Sequence, residues 1–261
     1  MFINIFPKSL NLLIRQTYLH HRLQTAMLPI VTIAEYNDKA AKASPERKAL
    51  GDTELNKATH YQVAKRQNEW LTGRLAVKMA TMHYLPDTLS AQLQVEPHQF
   101  TVENSDSGRP YLTGNLPEDL QKTDISLSHG NGYGAAIIAD TPCGIDIESC
   151  RESLKKVRHK FCTAEEEETL LHQLGELSDL QQLTILWTAK EAAKKSLSHL
   201  HMPGFLDLML ISMEPHMTGW VLNFMISSRN FDQFPPTISV VSELYEGFGI
   251  SICLMGDHNN A

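Results

Sequence analysis

The chain has 261 residues, of which 42% are hydrophobic and 20% are charged, so it can bury a substantial core. Its net charge of -7 provides no overall attraction to nucleic acids or anionic membranes, and neither is expected as a partner. No apolar run approaches the roughly 18 residues of a membrane-spanning helix, which predicts a soluble protein.

The cysteines predict a reducing compartment. They are Cys143, Cys150, Cys162 and Cys253, and their spacing contains no C-x-x-C pair. Because neither a zinc site nor a disulfide framework is indicated, we expect reduced thiols and a cytoplasmic protein.

Residues 1–26 are predicted to be a disordered N-terminal extension. Polar residues and Pro7 interrupt the apolar side chains of Phe2–Ile14, and the small-residue cleavage site of a signal peptide is missing. Met27 is a candidate for the true start of the protein, because the first strand-like segment, Pro29–Ala34, follows it directly.

Helix and strand signals alternate through residues 27–141, which we assign to an N-terminal half. Ser44–Glu46 is typical of a helix start, with a serine cap, a proline and an acid in order. Apolar side chains recur at helical intervals over Tyr61–His83 and predict a long helix. Ile125–Ser128 and Tyr133–Ala139 are strand-like, and the glycines and asparagine between them predict a tight hairpin.

Residues 142–261 are assigned to a C-terminal half. Gly144–Glu148 is predicted to be a strand that continues the preceding hairpin as a meander. Thr163 opens a predicted helix with a capping box, and a further helix is predicted over Asp179–His199. Later strands are predicted at Leu208–Met213, Trp220–Ile226, Thr237–Val241 and Ile250–Leu254. The expected fold class is α+β, in two halves that meet near the Asp140–Gly144 turn, and no internal sequence repeat is evident.

Two segments of the C-terminal half together supply three acids and a lysine. On a strand, Asp146 and Glu148 lie two residues apart and project on the same face. On a helix, Glu191 and Lys195 lie one turn apart and supply a third carboxylate beside a cation. Magnesium takes oxygen ligands and bridges a few carboxylates to substrate phosphates, so the set predicts a magnesium site. Taken singly, two acids on a strand are also typical of an exposed sheet edge. A Glu–Lys pair one turn apart is also typical of a solvated helix surface, where it stabilises the helix.

Forty residues lie between Asp146 and Trp187, which opens the second segment. This order and spacing resemble the signature of the 4'-phosphopantetheinyl transferases of the surfactin-synthetase-activating type. That signature is a hydrophobic-Gly-hydrophobic-Asp-x-Glu block, a spacer of this length, and an aromatic residue followed by x-x-Lys-Glu-x-x-x-Lys. Cys143 departs from the pattern, because the family usually has an aliphatic residue there.

Other segments extend the resemblance from about residue 60 to about residue 200. Ser126–Gly130 is similar to the family's Ser-x-Ser-His strand end. Gly108–Leu112 is similar to its Gly-Lys-Pro turn, with Arg109 in place of the lysine. Arg66, with Gly73–Arg74 and Lys78, resembles the basic helix of the family's N-terminal half.

The resemblance implies both a fold and a reaction. The fold is two similar α/β halves in a pseudo-twofold arrangement, with the cofactor in the cleft between them. Because a single chain contains both halves, a monomer could form the cleft, and a monomer is expected. The reaction transfers the 4'-phosphopantetheine arm of coenzyme A to a serine of an apo acyl or peptidyl carrier protein and releases adenosine 3',5'-bisphosphate. Such carriers serve fatty acid, polyketide and nonribosomal peptide synthesis.

The resemblance also implies roles for individual residues. Asp146, Glu148 and Glu191 would hold magnesium against the pyrophosphate. Glu191 or a metal-bound water would accept the serine proton, and Lys195 would stabilise the departing phosphate. The residues expected to bind coenzyme A are Ser128, His129, Arg109, Arg66, Arg74 and Lys190, and those expected to dock an acidic carrier are Lys155, Lys156 and Arg158. The residues alone also allow simpler interpretations. His129 could be an ordinary turn histidine, the arginines could be solvated, and the basic run could be a solvated amphipathic face.

Two other functions are compatible with these residues. A magnesium-dependent hydrolase could split a nucleotide pyrophosphate, because three acids and a lysine do not identify the nucleophile. A non-catalytic module could bind coenzyme A or the carrier without turnover, although the four ionisable residues of the signature are all present. Product analysis separates the enzymes, because hydrolysis needs no carrier protein.

Overall fold

A computed structural model of the chain describes residues 2–5, 11, 30–36, 48–85, 95–199, 202–216, 218–227 and 236–255. These residues form two compact units, and the boundary falls between Asp140 and Thr141. Each unit combines antiparallel strands with helices, in agreement with a mixed helix and sheet fold. No helix of the described part of the chain is both long enough and apolar enough to cross a membrane.

The first unit is built on a four-stranded antiparallel sheet. The strands of the first unit, in chain order, are β1 (Phe2–Ile5), β2 (Ile30–Tyr36), β3 (Phe100–Asn104), β4 (Pro110–Gly114), β5 (Asp124–Gly130) and β6 (Tyr133–Ala139). Its helices are α1 (Asp52–Ala58), α2 (Ala64–Tyr84) and α3 (Glu118–Gln121). The sheet order is β1-β2-β6-β5, strands β3 and β4 form a separate hairpin, and α2 packs across β2, β5 and β6.

The long helix and the hairpin predicted for this unit are confirmed. Helix α2 begins at Ala64 rather than Tyr61 and buries residues such as Leu75 in the core. The turn between β5 and β6 is made by Asn131 and Gly132, which have φ angles of 49° and 90°. Asparagine and glycine both tolerate this left-handed region, which the favoured two-residue hairpin turn requires.

The second unit is built on a five-stranded antiparallel sheet. Its strands are β7 (Cys143–Ser149), β8 (Leu208–His216), β9 (Gly219–Ile226), β10 (Thr237–Tyr245) and β11 (Phe248–Leu254). Its helices are α4 (Ser153–Val157), α5 (Ala164–Gln173) and α6 (Asp179–Leu197), with short 3-10 turns at Arg158–Lys160 and Phe205–Asp207. The sheet order is β7-β11-β10-β9-β8, and α6 packs across β7, β11 and β10.

The helices and strands predicted for the C-terminal half are present. The Glu166 amide donates to Thr163 Oγ1 at 3.3 Å, and the Thr163 amide donates to Glu166 Oε2 at 3.0 Å, which confirms the capping box of α5. The later strands form as predicted, and β8 and β10 continue beyond their predicted ends, to His216 and Tyr245.

The predicted meander is wrong. Strand β7 does not extend the β5-β6 hairpin but pairs antiparallel with β11, with Asp146 opposite Ser251. The physical reason is that β6 is hydrogen-bonded on both edges, to β2 and to β5, so no edge remains for a further strand. The turn at residues 140–142 instead leads the chain into the second unit.

The structure differs from the predicted disordered extension at the N-terminal residues that it describes. Strand β1 pairs antiparallel with β2, with Phe2 opposite Tyr36. Phenylalanine and isoleucine suit a strand, and the outer edge of β2 offers ladder hydrogen bonds. Asn11 also binds β2, because its Nδ2 donates to the Val31 carbonyl at 3.0 Å and its Oδ1 accepts from the Val31 amide at 2.9 Å. Met27, the rest of residues 1–26 and the predicted helix start at Ser44–Glu46 lie outside the described residues.

The two units repeat one order of elements, although the sequence shows no evident repeat. In each unit a strand is followed by a packed pair of helices, a strand pair and a hairpin whose second strand pairs with the first strand. Short helices are added to this order, α3 before the hairpin of the first unit and α4 before the helix pair of the second. Strand β6 thus returns to β2, and β11 returns to β7. The β10-β11 turn also matches the earlier one, because Glu246 and Gly247 have φ angles of 48° and 82°. The repeat is therefore present at the level of structure.

A buried lysine-glutamate pair occupies the same place in both units. Lys78 Nζ lies 2.8 Å from Glu54 Oε2, and Lys190 Nζ lies 2.7 Å from Glu166 Oε1. Each glutamate also accepts hydrogen bonds from its N-cap amide and from a strand amide; the donors are Gly51 and Val102 in the first unit, and Thr163 and Leu210 in the second. Removing one partner of such a pair leaves a buried charge, so the pairs hold α1 to α2 and α5 to α6.

Helix α6 lies very close to β7 at Gly144. A Cβ atom on Gly144 would lie 1.9 Å from the Ala192 carbonyl oxygen and 2.7 Å from the Ser196 amide nitrogen. Only a residue without a side chain fits there, which explains the glycine that precedes Asp146 in the sequence. The contact sets the distance between the strand that carries Asp146 and the helix that carries Glu191.

Replacing Gly144 with alanine would force α6 away from β7. We expect Gly144→Ala to lower the free energy of unfolding by about 2 to 3 kcal/mol, as for overpacking of a core. The matched control is Gly73→Ala in α2, whose Cβ would meet side-chain atoms alone, the nearest at 3.3 Å. Chemical denaturation measures both variants, and a Gly144→Ala protein as stable as the wild type would contradict the close packing.

Candidate active site

Two carboxylates project from β7 toward α6. Asp146 and Glu148 share a face of the strand, because side chains alternate along it. Asp146 stands opposite Ser251 of β11, and directly opposed residues of an antiparallel pair also share a face. The Ser251 hydroxyl lies 2.7 Å from Thr188 Oγ1 of α6. The face that carries both acids is therefore the face that α6 covers.

Helix α6 brings a carboxylate and a lysine to the same place. Glu191 and Lys195 lie one turn apart on this helix. The Lys195 ammonium donates to Asp146 Oδ1 and to the Ile145 carbonyl, both at 2.8 Å. Asp146 is 7% exposed and the Lys195 side chain is 27% exposed, so this ion pair is partly shielded from water. The structure thus joins the two sequence segments through Asp146 and Lys195.

Glu148 is engaged by neighbours that the sequence reasoning missed. Arg151 Nη2 lies 2.6 Å from Glu148 Oε2, and the Ser149 amide donates to Glu148 Oε1 at 2.9 Å. The arginine three residues downstream was visible in the sequence. Its contact depends on the turn that ends β7, which no periodic pattern indicates.

The pKa values of Glu148 and Glu191 are both raised. Burial is the main cause for each carboxyl, and the negative charge of Asp146 adds to it. Arg151 opposes the rise at Glu148, and Lys195 opposes it at Glu191. Because Asp146 acts on both glutamates, the three acids form one electrostatic cluster.

This acidic cluster of Asp146, Glu148 and Glu191 is a suitable donor set for magnesium, which takes hard oxygen ligands. In the structure Lys195 neutralises part of the charge of Asp146, and Arg151 does so at Glu148. Among the described residues, no three His, Cys, Asp or Glu side chains are arranged as a preformed metal site. The donor chemistry fits the metal, and binding would require the carboxylates to turn from these cations toward a shared ion.

Lys190 occupies a structural position, which corrects its expected contact with coenzyme A. Its side chain is 0% exposed, and its ammonium donates to the Phe161 carbonyl at 2.7 Å and to Glu166 Oε2 at 2.8 Å. Burial lowers the pKa of Lys190, and the charge of Glu166 opposes this shift. The residue faces about 100° away from Glu191 around the helix, into the interior of the unit. An ammonium enclosed in this way does not reach a dissolved phosphate.

The basic run expected to dock a carrier lies on α4 and the 3-10 turn after it. Lys156 is exposed. Lys155 Nζ lies 3.3 Å from Glu152 Oε1, and Arg158 Nε lies 3.4 Å from Glu167 Oε1. Acidic neighbours therefore reduce the positive field of this surface below what the sequence indicates.

Arg109 of the first unit is engaged by an acid. Its Nε donates to Asp124 Oδ1 at 2.9 Å, and its Nη2 contacts Asp124 Oδ2. This bidentate geometry is the one by which arginine also recognises phosphate. A phosphate contact by Arg109 would therefore compete with Asp124.

The two arginines of α2 differ in exposure. Arg66 is exposed, whereas Arg74 is 6% exposed. Arg74 Nη2 donates to Asn104 Oδ1, and its guanidinium carbon lies 4.7 Å from the ring centroid of Trp70. Burial lowers the pKa of Arg74, and the charge of Glu54 opposes this shift. Arg74 is thus buried within its unit, where its Nε has no hydrogen-bond partner among the described residues, and Arg66 is accessible.

Ser128 and His129 lie at the end of β5, beside α2. Ser128 is 8% exposed, and His129 is exposed. A Cβ atom on Gly73 of α2 would lie 3.6 Å from His129 Cδ2, an ordinary van der Waals distance, so the ring lies beside α2. His129 is therefore the more accessible of the two for an external ligand.

Residues 142–236 match the family model of the 4'-phosphopantetheinyl transferase superfamily. The matched segment includes β7 and α6, and so it contains the acidic cluster and Lys195. No curated protein sequence matches the chain. The signature in the sequence and the family match agree at the level of the superfamily.

The raised pKa of Glu191 makes stability depend on pH. The folded state holds this proton more tightly than the unfolded chain, so the group stabilises the fold below its ordinary pKa of 4.5. That contribution is lost as the pH rises through the raised folded value. We therefore expect Glu191→Gln, which cannot ionise, to have a higher Tm than the wild type at neutral pH and an equal Tm in acid.

Thermal unfolding across pH measures this difference. The control is Glu165→Gln on α5, because hydrogen bonds from its own backbone amide and from Thr163 lower the pKa of Glu165. At neutral pH we expect Glu165→Gln to have a lower Tm than the wild type, the opposite of the change expected for Glu191→Gln. A Tm difference for Glu191→Gln that did not vary with pH would contradict the raised pKa.

Proposed function

We propose that the protein transfers the 4'-phosphopantetheine arm of coenzyme A to a serine of an apo acyl or peptidyl carrier protein, as a transferase of the surfactin-synthetase-activating type. The observation that carries the proposal is the coincidence of the superfamily match with the acidic cluster on β7 and α6. The same segment bears the sequence signature. The first unit's repeat of this fold is compatible with the proposal, and the pseudo-twofold arrangement and the monomeric state stay predictions.

Magnesium is part of the proposal. Asp146, Glu148 and Glu191 would hold it, and when bound it would neutralise charge on the coenzyme A pyrophosphate. The support is the donor set, in which the charge of Asp146 acts on both glutamates.

The side chains can perform the proton and charge steps of the transfer. The serine oxygen attacks the phosphorus that bears the pantetheine, its proton passes to a base, and the bond from that phosphorus to adenosine 3',5'-bisphosphate breaks. The base would be Glu191, a carboxylate of the acidic cluster, or a water bound to the metal that this cluster would hold. Lys195 is suited to neutralise the charge that develops on the departing phosphate, because it is a cation one turn away on the same helix.

The proposed contacts with coenzyme A follow from accessibility. His129 and Arg66 are exposed and are the leading candidates. Ser128 adjoins His129, and Arg109 would exchange the carboxylate of Asp124 for a phosphate. Lys190 is left out of the proposal, because its ammonium is buried and bound by Glu166. Arg74 follows the exposed residues as a candidate, because its side chain is buried and one guanidinium nitrogen has no partner among the described residues.

The intact mass of a carrier protein tests the transfer. An apo acyl or peptidyl carrier is incubated with the protein, coenzyme A and magnesium. We expect the carrier to gain one phosphopantetheine with the wild type and with the control Glu165→Gln. With Glu191→Gln the gain should be slower by about 100-fold or more, because a general base is lost.

The products also separate the alternative functions. Cleavage of coenzyme A with no gain of mass on any carrier would indicate a hydrolase. Binding of coenzyme A without either change would indicate a non-catalytic module. Either result would overturn the proposed transfer.

Lys195 has a matched control in the preceding residue of the same helix. The Lys194 ammonium lies 3.7 Å from the ring centroid of Phe205, whereas that of Lys195 contacts Asp146. We expect Lys195→Met to lower kcat by about 100-fold with a small change in KM for coenzyme A. Lys194→Met should stay within about twofold of the wild type. Steady-state kinetics measure both, and equal losses would rule out a specific role for Lys195.

A further inference from the structure

A comparison of the two units distinguishes residues that the fold needs from residues that the proposed site needs. Lys78 of α2 corresponds to Lys190 of α6, because each closes the buried ion pair of its unit. Gly134 of β6 corresponds to Gly249 of β11, because each lies against a threonine of the helix that covers its sheet. These correspondences align the two helices and the two sheets residue by residue. A feature found in both units belongs to the fold.

Among the described residues, the acidic cluster lies in the second unit and has no counterpart in the first. Its residues and the lysine beside it are Asp146, Glu148, Glu191 and Lys195, and the corresponding residues of the first unit are Thr32, Ala34, Met79 and His83. The chemistry proposed above is therefore confined to one copy. A buried polar feature found in that copy and missing from the other is a candidate part of the site.

A chain of buried hydroxyl groups lies beside the acidic cluster. Ser242 Oγ lies 2.7 Å from Ser251 Oγ, which lies 2.7 Å from Thr188 Oγ1. Thr188 Oγ1 donates in turn to the Thr184 carbonyl of α6 at 3.0 Å. The side chains of Ser242, Ser251 and Thr188 are 0% exposed. If each hydroxyl donates once, in the direction from Ser242 to α6, all three donors are satisfied.

This hydroxyl chain of Ser242, Ser251 and Thr188 joins the elements that carry the acids. Ser251 stands opposite Asp146 across β7 and β11. Thr188 lies almost one helical turn before Glu191 on α6. A hydrogen bond between Ser251 and Thr188 therefore ties the helix to the sheet at the level of the site.

The first unit packs apolar side chains at the corresponding positions. Ala76, Ala136 and Leu127 stand where the second unit has Thr188, Ser251 and Ser242. The first unit thus forms without these three hydroxyl groups, and a different hydroxyl ties its helix to its sheet, because Thr32 Oγ1 of β2 donates to the Ala76 carbonyl of α2 at 2.6 Å. Since apolar groups of similar shape can replace a whole hydrogen-bonded set at little cost, we expect the second unit to fold without the hydroxyl chain.

We propose that the hydroxyl chain positions Glu191 of α6 against Asp146 of β7; this inference rests on the proposed transfer. Its members are positioning residues, because the proposed chemistry does not involve their side chains. Lys195 binds Asp146 and the Ile145 carbonyl at one end of this contact, and the hydroxyl chain adds a second hydrogen-bonded link about two turns earlier on α6. Apolar packing has no preferred direction, whereas each of these hydrogen bonds has a preferred distance and angle. That difference matters at a site where a displacement of about 1 Å can slow a reaction about 100-fold.

The test removes the whole hydroxyl chain, so that no buried hydroxyl is left without a partner. The triple variant is Ser242→Ala, Ser251→Ala and Thr188→Val. The matched control is Thr184→Val, which removes a buried hydroxyl of the same helix that is bonded to the Leu180 carbonyl. We expect the triple variant to keep the wild-type Tm and KM within error and to lose about tenfold or more in kcat.

The control and a conservative variant complete the test. Thr184→Val and Thr188→Ser, which keeps the hydroxyl, should both retain a kcat near that of the wild type. A triple variant with unchanged kcat would overturn the proposal. If the triple variant does not fold, Thr188→Val and Thr188→Ser decide under conditions in which both are folded. A slow valine variant beside a normal serine variant supports the proposal, and equal kcat values overturn it.

Hydrogen exchange distinguishes failure of this inference from failure of the proposed function. If the wild type modifies no carrier, the transfer proposal fails, but amide exchange in α6 still reports how the helix is held. The triple variant should then show lower protection over residues 188–195 than Thr184→Val at equal global stability. Unchanged protection would overturn the positioning role.

Discussion

The close approach of α6 to β7 at Gly144 is the constraint on which the second unit depends. With no side chain at that position, the helix backbone rests directly on the strand. The Lys195 ammonium can then reach Asp146 at hydrogen-bond distance, 2.8 Å, without leaving the helix surface. A larger residue would force the helix and the strand apart, because its Cβ would lie 1.9 Å from the Ala192 carbonyl oxygen. The glycine of the motif therefore acts through the distance that it permits.

The polar groups buried around α6 have two different origins. The ion pair of Lys190 and Glu166 recurs as Lys78 and Glu54. In both units the glutamate also accepts a hydrogen bond from a strand amide, so the pair belongs to the repeated fold. Its burial is tolerable because each charge is paired and the remaining lone pairs accept backbone amides. Among the described residues, the acidic cluster and the hydroxyl chain occur in the second unit and not at the corresponding positions of the first.

The electrostatics of the site are those of a crowded group of acids with compensating cations. Burial and the charge of Asp146 raise the pKa values of Glu148 and Glu191, which opposes ionisation of all three carboxyls together. Lys195 and Arg151 offset part of this repulsion. An arrangement of this kind responds to any added positive charge, because a cation that binds the acids relieves a repulsion already present.

Local signals in the sequence determined the long helices, the hairpin turn, the strands of the second unit and the motif residues, since periodicity, caps and turn residues act over a few positions. Only the tertiary structure decided that β7 pairs with β11, that Lys190 points inward to Glu166, and that two diverged segments share one fold. Strand partners and buried charges depend on residues distant in sequence. A helical lysine has the same local pattern whether it faces water or a buried carboxylate, so the sequence could not distinguish the two.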